Sequence, residues 1–126
     1  THVADVMRAG DDVPKVLPSA SLSDLMREMS AKGAGAAAVV DADGVLQGIF
    51  TDGDLRRRIE AGADLRNAKA GEVMYATPRQ ISPAALAADA AAVMEEHRIT
   101  SVLVTDERQH LVGIVHIGDL MRAKVI

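Results

Sequence analysis

The chain has 126 residues, the size of one compact domain or of two small repeats that share a core. Its formal charge of −4 argues against a protein that binds nucleic acid through a basic face, and an aromatic content of 2% disfavours a platform for stacked bases. The absence of cysteine excludes disulfides, thiolate metal sites and a cysteine nucleophile.

No apolar run is long enough to cross a membrane, and the N-terminus lacks the pattern of a signal peptide. We therefore expect a soluble, cytoplasmic protein that binds neither nucleic acid nor membranes. The chain begins at Thr1 rather than at a methionine, which suggests a fragment of a longer protein.

The sequence repeats itself once. A shift of 65 positions aligns Leu22–Ile59 with Ala87–Lys124, and a short segment that ends in Val-Met precedes each copy, at Ala4–Met7 and Gly71–Met74. Self-similarity of this kind predicts two copies of one supersecondary unit. We assign residues 1–65, with an N-terminal linker segment, to the first repeat and residues 66–126 to the second.

Both copies have the same predicted elements. In the first, apolar residues at helical spacing follow Ser21, which forms a predicted capping box with Asp24, and Gly33 ends that helix. In the second, Ser82-Pro83 is the predicted start of the corresponding helix. The predicted elements are, in chain order, an extended segment at Val13–Leu17, a helix from Leu22, a hairpin of Ala36–Val40 and Val45–Phe50, a helix from Thr51 to Glu60, a connection at Ala63–Ala70, an extended segment at Thr77–Ile81, a helix around Leu86–Met94, a hairpin of Ser101–Val104 and Leu111–Val115, and a helix at Ile117–Ala123. The pattern is β-α-β-β-α, twice, which is an α+β architecture.

One motif recurs where the second hairpin strand of each copy meets the next helix. The first copy reads Gly-Ile-Phe-Thr-Asp-Gly-Asp from Gly48 to Asp54, and the second reads Gly-Ile-Val-His-Ile-Gly-Asp from Gly113 to Asp119. A hydroxyl and a carboxylate three residues apart are typical of a plain helix start. They also suit a ligand, because a helix N-terminus offers amides to a phosphate and a carboxylate accepts from a ribose diol.

These features resemble a pair of cystathionine-β-synthase (CBS) domains. The resemblance covers nearly the whole chain and implies two repeats related by a pseudo-twofold axis, with a nucleotide bound in a cleft between them. It also implies a regulatory role toward an attached enzyme or channel. His116 stands where the family has a hydroxyl, so either this second site has lost its ligand or an imidazole meets a more acidic group.

The resemblance implies that each motif faces segments of the opposite repeat. Thr51 and Asp54 would bind phosphate and ribose, and His116 and Asp119 would do so in the second copy. Arg57 is the favoured basic residue after the first motif, since Arg122 matches it in the second copy. The ligand-binding residues predicted in this way are Thr51, Asp54, Thr77, Pro78, Arg79, Thr100, Ser101 and Val102 at one site, and His116, Asp119, Lys15, Val16 and Ala36 at the other, with Arg57 beside the first motif.

A narrower resemblance concerns three stretches: Gly48–Arg57, His97–Asp106 and the C-terminal Asp119–Ile126. They are similar to the regulatory half of sugar isomerases that act on D-arabinose 5-phosphate in the synthesis of the lipopolysaccharide sugar Kdo. This likeness implies an N-terminal sugar-isomerase domain in the parent protein and no catalytic residue in this chain. The implied effector is CMP-Kdo or CMP, with AMP or ATP as the alternative.

No resident cofactor or metal is expected, since the four histidines lack metal-binding spacing. A second function class stays open, in which the paired repeats chiefly dimerise the parent and the ligand sites are degenerate. A homo-oligomer is expected in either case, because Leu55, Ile59, Leu120 and Met121 are predicted to form apolar faces on the last helices that need cover.

Overall fold

The computed structural model describes all residues from 1 to 126 and contains two three-stranded sheets with helices around them. The elements are α1 (Val3–Val6), a 3-10 turn (Gly10–Asp12), β1 (Lys15–Val16), α2 (Leu22–Lys32), β2 (Ala36–Val40), β3 (Leu46–Thr51), α3 (Asp52–Glu60), α4 (Ala70–Val73), β4 (Gln80–Ile81), α5 (Ala87–His97), β5 (Ser101–Thr105), β6 (Leu111–His116) and α6 (Ile117–Arg122). The predicted α+β fold with a doubled β-α-β-β-α unit is confirmed.

The chain forms two compact units, Pro14–Pro78 and Thr1–Val13 together with Arg79–Ile126. Their boundaries differ from the repeat boundaries 1–65 and 66–126, because each short Val-Met segment packs with the sheet of the other repeat. In the second unit Val3 is fully buried, and its amide donates to the Ala85 carbonyl at 2.8 Å. In the first unit Tyr75 and Ile49 exchange backbone hydrogen bonds of 2.7 and 3.0 Å.

The two sheets have the same topology. In the unit 14–78, β2 lies between a parallel β1 and an antiparallel β3, and in the other unit β5 lies between β4 and β6 in the same way. Every residue of both central strands is buried, since helices cover the sheet. Strands that are buried on both faces read as continuous apolar runs, which is the pattern of Ala36–Val40.

The core of the unit 14–78 compensates for its many alanines with one large side chain. Phe50 is fully buried and packs with Leu25, Met29 and Val73. The core of the other unit combines Val3 with residues of α5, β5 and β6, and Leu120 of α6 is fully buried there. The prediction that Leu120 helps to form an exposed apolar face is therefore wrong, since its side chain faces the core.

Helix ends were predicted well in the first repeat. The Ser21 hydroxyl accepts from the Asp24 amide at 3.1 Å, and Gly33 ends α2 with a φ of 65°. The reciprocal half of the capping box does not form, because the Asp24 carboxylate accepts from Arg27 at 2.7 Å instead. The helix predicted from Thr51 to Glu60 begins one residue later, at Asp52, with Thr51 as its N-cap.

The predicted start of α5 at Ser82-Pro83 is wrong. The Ser82 hydroxyl accepts from the Ala84 amide at 3.1 Å and so closes a local turn instead of capping the helix. The helix begins at Ala87, where the Asp89 carboxylate accepts from the Leu86 amide at 3.0 Å. The predicted connection Ala63–Ala70 also ends in an unforeseen helix, the single turn of α4.

Candidate functional site

The first motif is a reciprocal cap at the start of α3. Thr51 ends β3, and its hydroxyl oxygen accepts from the Asp54 amide at 3.1 Å. Asp54 Oδ2 in return accepts from the Thr51 amide at 3.0 Å and from the Thr51 hydroxyl at 2.9 Å. The helix start that a hydroxyl and a carboxylate three residues apart indicate in the sequence is present here, and the structure adds the direct contact between the two side chains.

Asp54 has one further partner, the Arg57 guanidinium. Arg57 Nη2 donates to Asp54 Oδ1 at 2.7 Å, and its side chain is 65% exposed whereas that of Asp54 is 22% exposed. Arg57, predicted as the basic residue beside the motif, therefore lies one helical turn away and against the carboxylate. An exposed ion pair of this kind contributes little to stability, so Arg57 is free to change partners.

The first turn of α3 offers an amide for a ligand. The Asp52 amide donates to the Gly35 carbonyl at 3.1 Å, and the Asp54 amide donates to Thr51. The amide of Gly53, between them, is the remaining donor of a turn whose N–H groups have no partner within the helix. The nearest atoms to a Cβ built on Gly53 would be those of the exposed Arg57 guanidinium, at 3.3 Å.

The second motif is capped differently, since an imidazole replaces the hydroxyl. His116 ends β6, and its Nδ1 accepts from the Gly118 amide at 3.0 Å, while its own amide donates to Asp119 Oδ2 at 2.9 Å. Partial burial and the nearby Arg8 guanidinium lower the pKa of His116 from its ordinary value. The neutral tautomer with its proton on Nε2 is consistent with an Nδ1 that accepts.

Asp119 lies in a more crowded environment than Asp54. It is only 8% exposed, and Arg8 Nε lies 3.2 Å from each of its two carboxylate oxygens. The Arg122 guanidinium donates to Oδ1 as well. Sequence reasoning missed Arg8, because it lies 111 positions from Asp119 and no local spacing indicates the contact.

The sheets place some of the other predicted residues near the motif of their own repeat. Ala36 pairs with Thr51 in the β2–β3 register, and Ser101 pairs with His116 in the β5–β6 register. Both are buried. Val102 lies inside the central strand β5 and is buried. The remaining predicted residues lie on β1 or in the segments that precede β4 and β5: Lys15, Val16, Thr77, Pro78, Arg79 and Thr100. The pairing of each motif with the opposite repeat stays a prediction.

Outside the motifs, the unit 14–78 has a cavity of about 290 Å³. It is lined by Met26, Met29, Ser30, Gly33, Gly35, Asp52 and Leu55. It reaches the first motif only at Asp52. No group of three or more His, Asp or Glu side chains is arranged to hold a metal ion, and none of the helices is both long and apolar enough to span a membrane.

Comparison with known proteins agrees with this geometry. The CBS domain family matches residues 3–61 and 70–126, so that each copy contains one complete strand-to-helix motif. The chain belongs to the CBS domain family. Its architecture is that of a CBS pair.

Among curated proteins, the chain is 43% identical to the arabinose 5-phosphate isomerase KdsD of Yersinia pestis over 99% of its own length. It spans 38% of the length of that relative. Among solved structures, a signal-transduction protein with CBS domains from Burkholderia ambifaria is 30% identical with a TM-score of 0.83, over 99% of this chain and 94% of that chain. CBSX2 of Arabidopsis thaliana, solved in complex with AMP, has the same fold with a TM-score of 0.84 at 24% identity, over 98% of this chain and 96% of that chain.

Proposed function

We propose that this CBS pair is a regulatory module that binds a nucleotide and does no chemistry of its own. The observation that carries the proposal is the Thr51–Asp54 motif, which brings a hydroxyl, a carboxylate and the Gly53 amide together at the start of α3. Those are the groups that a ribose diol and a phosphate need. The AMP bound to CBSX2 supports this choice of ligand class.

The hydrogen bonds of Asp54 leave capacity for a ribose. A carboxylate has about four acceptor positions. The Thr51 amide and the Thr51 hydroxyl use Oδ2, and Arg57 uses one position on Oδ1. One position on Oδ1 is open, and the exposed Arg57 guanidinium can give way to a second hydroxyl or turn toward a phosphate. In this role Asp54 holds the diol and the Gly53 amide holds the phosphate. The Thr51 hydroxyl joins the Gly53 amide when its single proton turns from Asp54 Oδ2 to the phosphate.

The decisive experiment compares two aspartates that have the same capping role. Asp54→Ala is expected to weaken binding of AMP or CMP by tenfold or more in calorimetry, since a charged hydrogen bond contributes about 1.5–3 kcal/mol. Asp89→Ala is the matched control, because Asp89 accepts from the amide of Leu86 at the start of α5 and belongs to no predicted site. If Asp54→Ala and the unsubstituted chain bind AMP or CMP with equal affinity, Asp54 has a capping role alone.

We further propose that the parent protein is an isomerase acting on D-arabinose 5-phosphate for Kdo and lipopolysaccharide synthesis. The support is the 40–43% identity to KdsD proteins, of which this chain spans 38%. In this proposal a separate N-terminal sugar-isomerase domain does the catalysis in the cytoplasm. The CBS pair would act on it by favouring one arrangement of the whole protein over another when the effector is bound.

The effector that suits this role is the activated end product, CMP-Kdo. It has a ribose and a phosphate for the first motif, and a sugar carboxylate that needs a cation. Candidate cations are Arg79, Lys15 and one of Arg56–Arg58, and the neutral His116 could donate a hydrogen bond to the carboxylate from its Nε2–H. Titration of CMP-Kdo, CMP, AMP and ATP against the same chain tests the choice. Tighter binding of AMP or ATP than of either cytidine ligand would indicate a generic adenine-nucleotide sensor instead.

The second candidate function is dimerisation of the parent, with a second copy of this chain as the partner. Two exposed apolar side chains favour it, one on α3 and one on α6. Ile59 is 61% exposed and Met121 is 60% exposed. Light scattering of the chain at high micromolar concentration is expected to give at least a dimer, and Ile59→Arg with Met121→Arg is expected to give a monomer. If this chain without substitutions is a monomer, the second function is contradicted, and nucleotide binding is a separate question.

A further inference from the structure

We infer that Arg8 closes the second motif to ribose, so that this chain takes one nucleotide, at Asp54, and none at Asp119. The inference rests on the proposed nucleotide-binding function and deepens it. It gives Arg8, the residue directly after the Ala4–Met7 segment, a specificity role at a motif that lies 111 positions further along the chain.

The acceptor positions of Asp119 are used within the protein. The single Nε–H of Arg8 is shared between Oδ1 and Oδ2, while Arg122 donates to Oδ1 and the His116 amide donates to Oδ2. A ribose diol that approached Asp119 would have to displace a guanidinium. With 8% of the side chain exposed, the carboxylate is also far less accessible than that of Asp54, at 22%.

Arg8 cannot leave this position easily. Its amide donates to the Ile114 carbonyl at 2.8 Å, and its carbonyl accepts from the Ile114 amide at 3.0 Å, so its backbone is tied to β6. Its side chain is 22% exposed. Removal of a guanidinium from a buried carboxylate leaves a charge without its partner, which is costly. Arg122, whose side chain is 69% exposed, resembles Arg57 and is far more exposed than Arg8.

The first repeat shows what the motif is like without this arginine. Tyr75 follows Met74 as Arg8 follows Met7, and it makes the same two-way backbone bridge, to Ile49. The Tyr75 side chain is 58% exposed and brings no cation to Asp54. At this bridge the two repeats therefore have equivalent backbones and differ in one side chain, Arg8 in place of Tyr75.

A second difference lies at the amide between the two motif positions. His116 Nδ1 accepts from the Gly118 amide. In the first motif the Thr51 hydroxyl accepts from the Asp54 amide instead, so the Gly53 amide is available to a ligand. Both groups that would hold a nucleotide in the second motif, the carboxylate and the amide, are thus satisfied internally. Arg8 blocks the carboxylate and His116 occupies the amide.

The test is the number of AMP molecules bound per chain in calorimetry, with CMP as a second probe. The native chain is expected to bind one, and Asp54→Ala in the native background is expected to lose it. Arg8→Tyr combined with His116→Thr copies the first repeat onto the second and is expected to bind two. His116→Thr alone is the matched control and is expected to bind one, since Arg8 still occupies Asp119.

Three results would overturn the inference: two AMP molecules on the native chain, two on His116→Thr alone, or one on a folded Arg8→Tyr/His116→Thr chain. Should that double variant unfold, the Asp54→Ala chain decides, because AMP retained there and lost in Asp119→Asn would place the site at the second motif. A native chain that binds neither AMP nor CMP would contradict the proposed function itself and is distinguishable from these outcomes.

Discussion

A Cβ built on Gly48 would lie 2.7 Å from the sulfur of Met74 and 2.7 Å from the carbonyl oxygen of Tyr75. The segment after α4 therefore crosses β3 at a point where only a glycine leaves room. Gly113 has the same relationship to Met7, at 2.7 Å from its sulfur. The glycine and the Val-Met segment, which look like unrelated features of the repeat, are the two halves of one contact.

Gly48→Ala is accordingly expected to destabilise the chain by about 1–3 kcal/mol, as overpacking does in other cores. The Met74 side chain can move, but the Tyr75 carbonyl is held by its hydrogen bond from Ile49. Urea denaturation followed by circular dichroism measures the change. Gly53→Ala is the control, because its Cβ meets only the flexible Arg57 guanidinium, and its stability is expected to be unchanged or slightly raised. Equal stability of Gly48→Ala and the unsubstituted chain would contradict the close contact of Gly48 with Met74 and Tyr75.

Phe50→Ala is expected to cost about 3–5 kcal/mol, because it leaves a cavity among small residues that cannot close around it. Phe50 is fully buried and is the largest side chain in the core of the unit 14–78. Thermal and urea unfolding measure the loss. Tyr75→Ala removes a side chain that is 58% exposed and is expected to change stability by no more than about 0.5 kcal/mol. Similar losses for the two variants would show that Phe50 is not the centre of that core.

Thr51→Ala is expected to destabilise the chain by about 1 kcal/mol, since it removes the acceptor for the Asp54 amide at the start of α3. Thr51→Ser keeps the hydroxyl and is expected to retain most of the stability. Comparison of the two variants in urea separates the cap from the lost methyl group. If both variants lost stability equally, the methyl group and not the hydroxyl would be the stabilising part.

The chain is expected to lose stability as the pH falls below about 6.5, the ordinary pKa of histidine. Burial and Arg8 lower the pKa of His116 in the folded state, while Asp119 opposes them and Arg122 adds to them. The unfolded chain then binds more protons than the folded one between the two pKa values, so protonation favours unfolding. The contribution of His116 is fully present above the unfolded pKa and is lost as the pH falls toward the folded pKa.

Denaturation of the unsubstituted chain and of His116→Thr at several pH values from about 7.5 to 5.5 measures this effect. The variant keeps the other three histidines, so the difference between the two curves reports His116 alone. The stability of the unsubstituted chain is expected to fall more steeply as the pH is lowered. Parallel curves would contradict the lowered pKa of His116.

The sequence alone determined those parts of the molecule that depend on neighbours along the chain. The duplication is visible as self-similarity at a shift of 65 positions. The bounds of β2, the end of α2 at Gly33 and the Thr51–Asp54 cap follow from patterns only a few residues long. A turn, a cap or an alternating pattern involves only residues that are close in sequence, so the same local interactions form wherever the segment packs.

The tertiary structure decided what depends on distant partners. It joins Thr1–Val13 with Arg79–Ile126, it buries Leu120, and it places Arg8 against Asp119. Ser82 is a plausible cap by sequence, yet a local turn uses its hydroxyl and α5 starts at Ala87. These outcomes depend on which surfaces pack together, and a contact between residues 111 positions apart leaves no periodicity in the sequence. For that reason the two motifs read as near copies, whereas their carboxylates differ in burial and in bound cations.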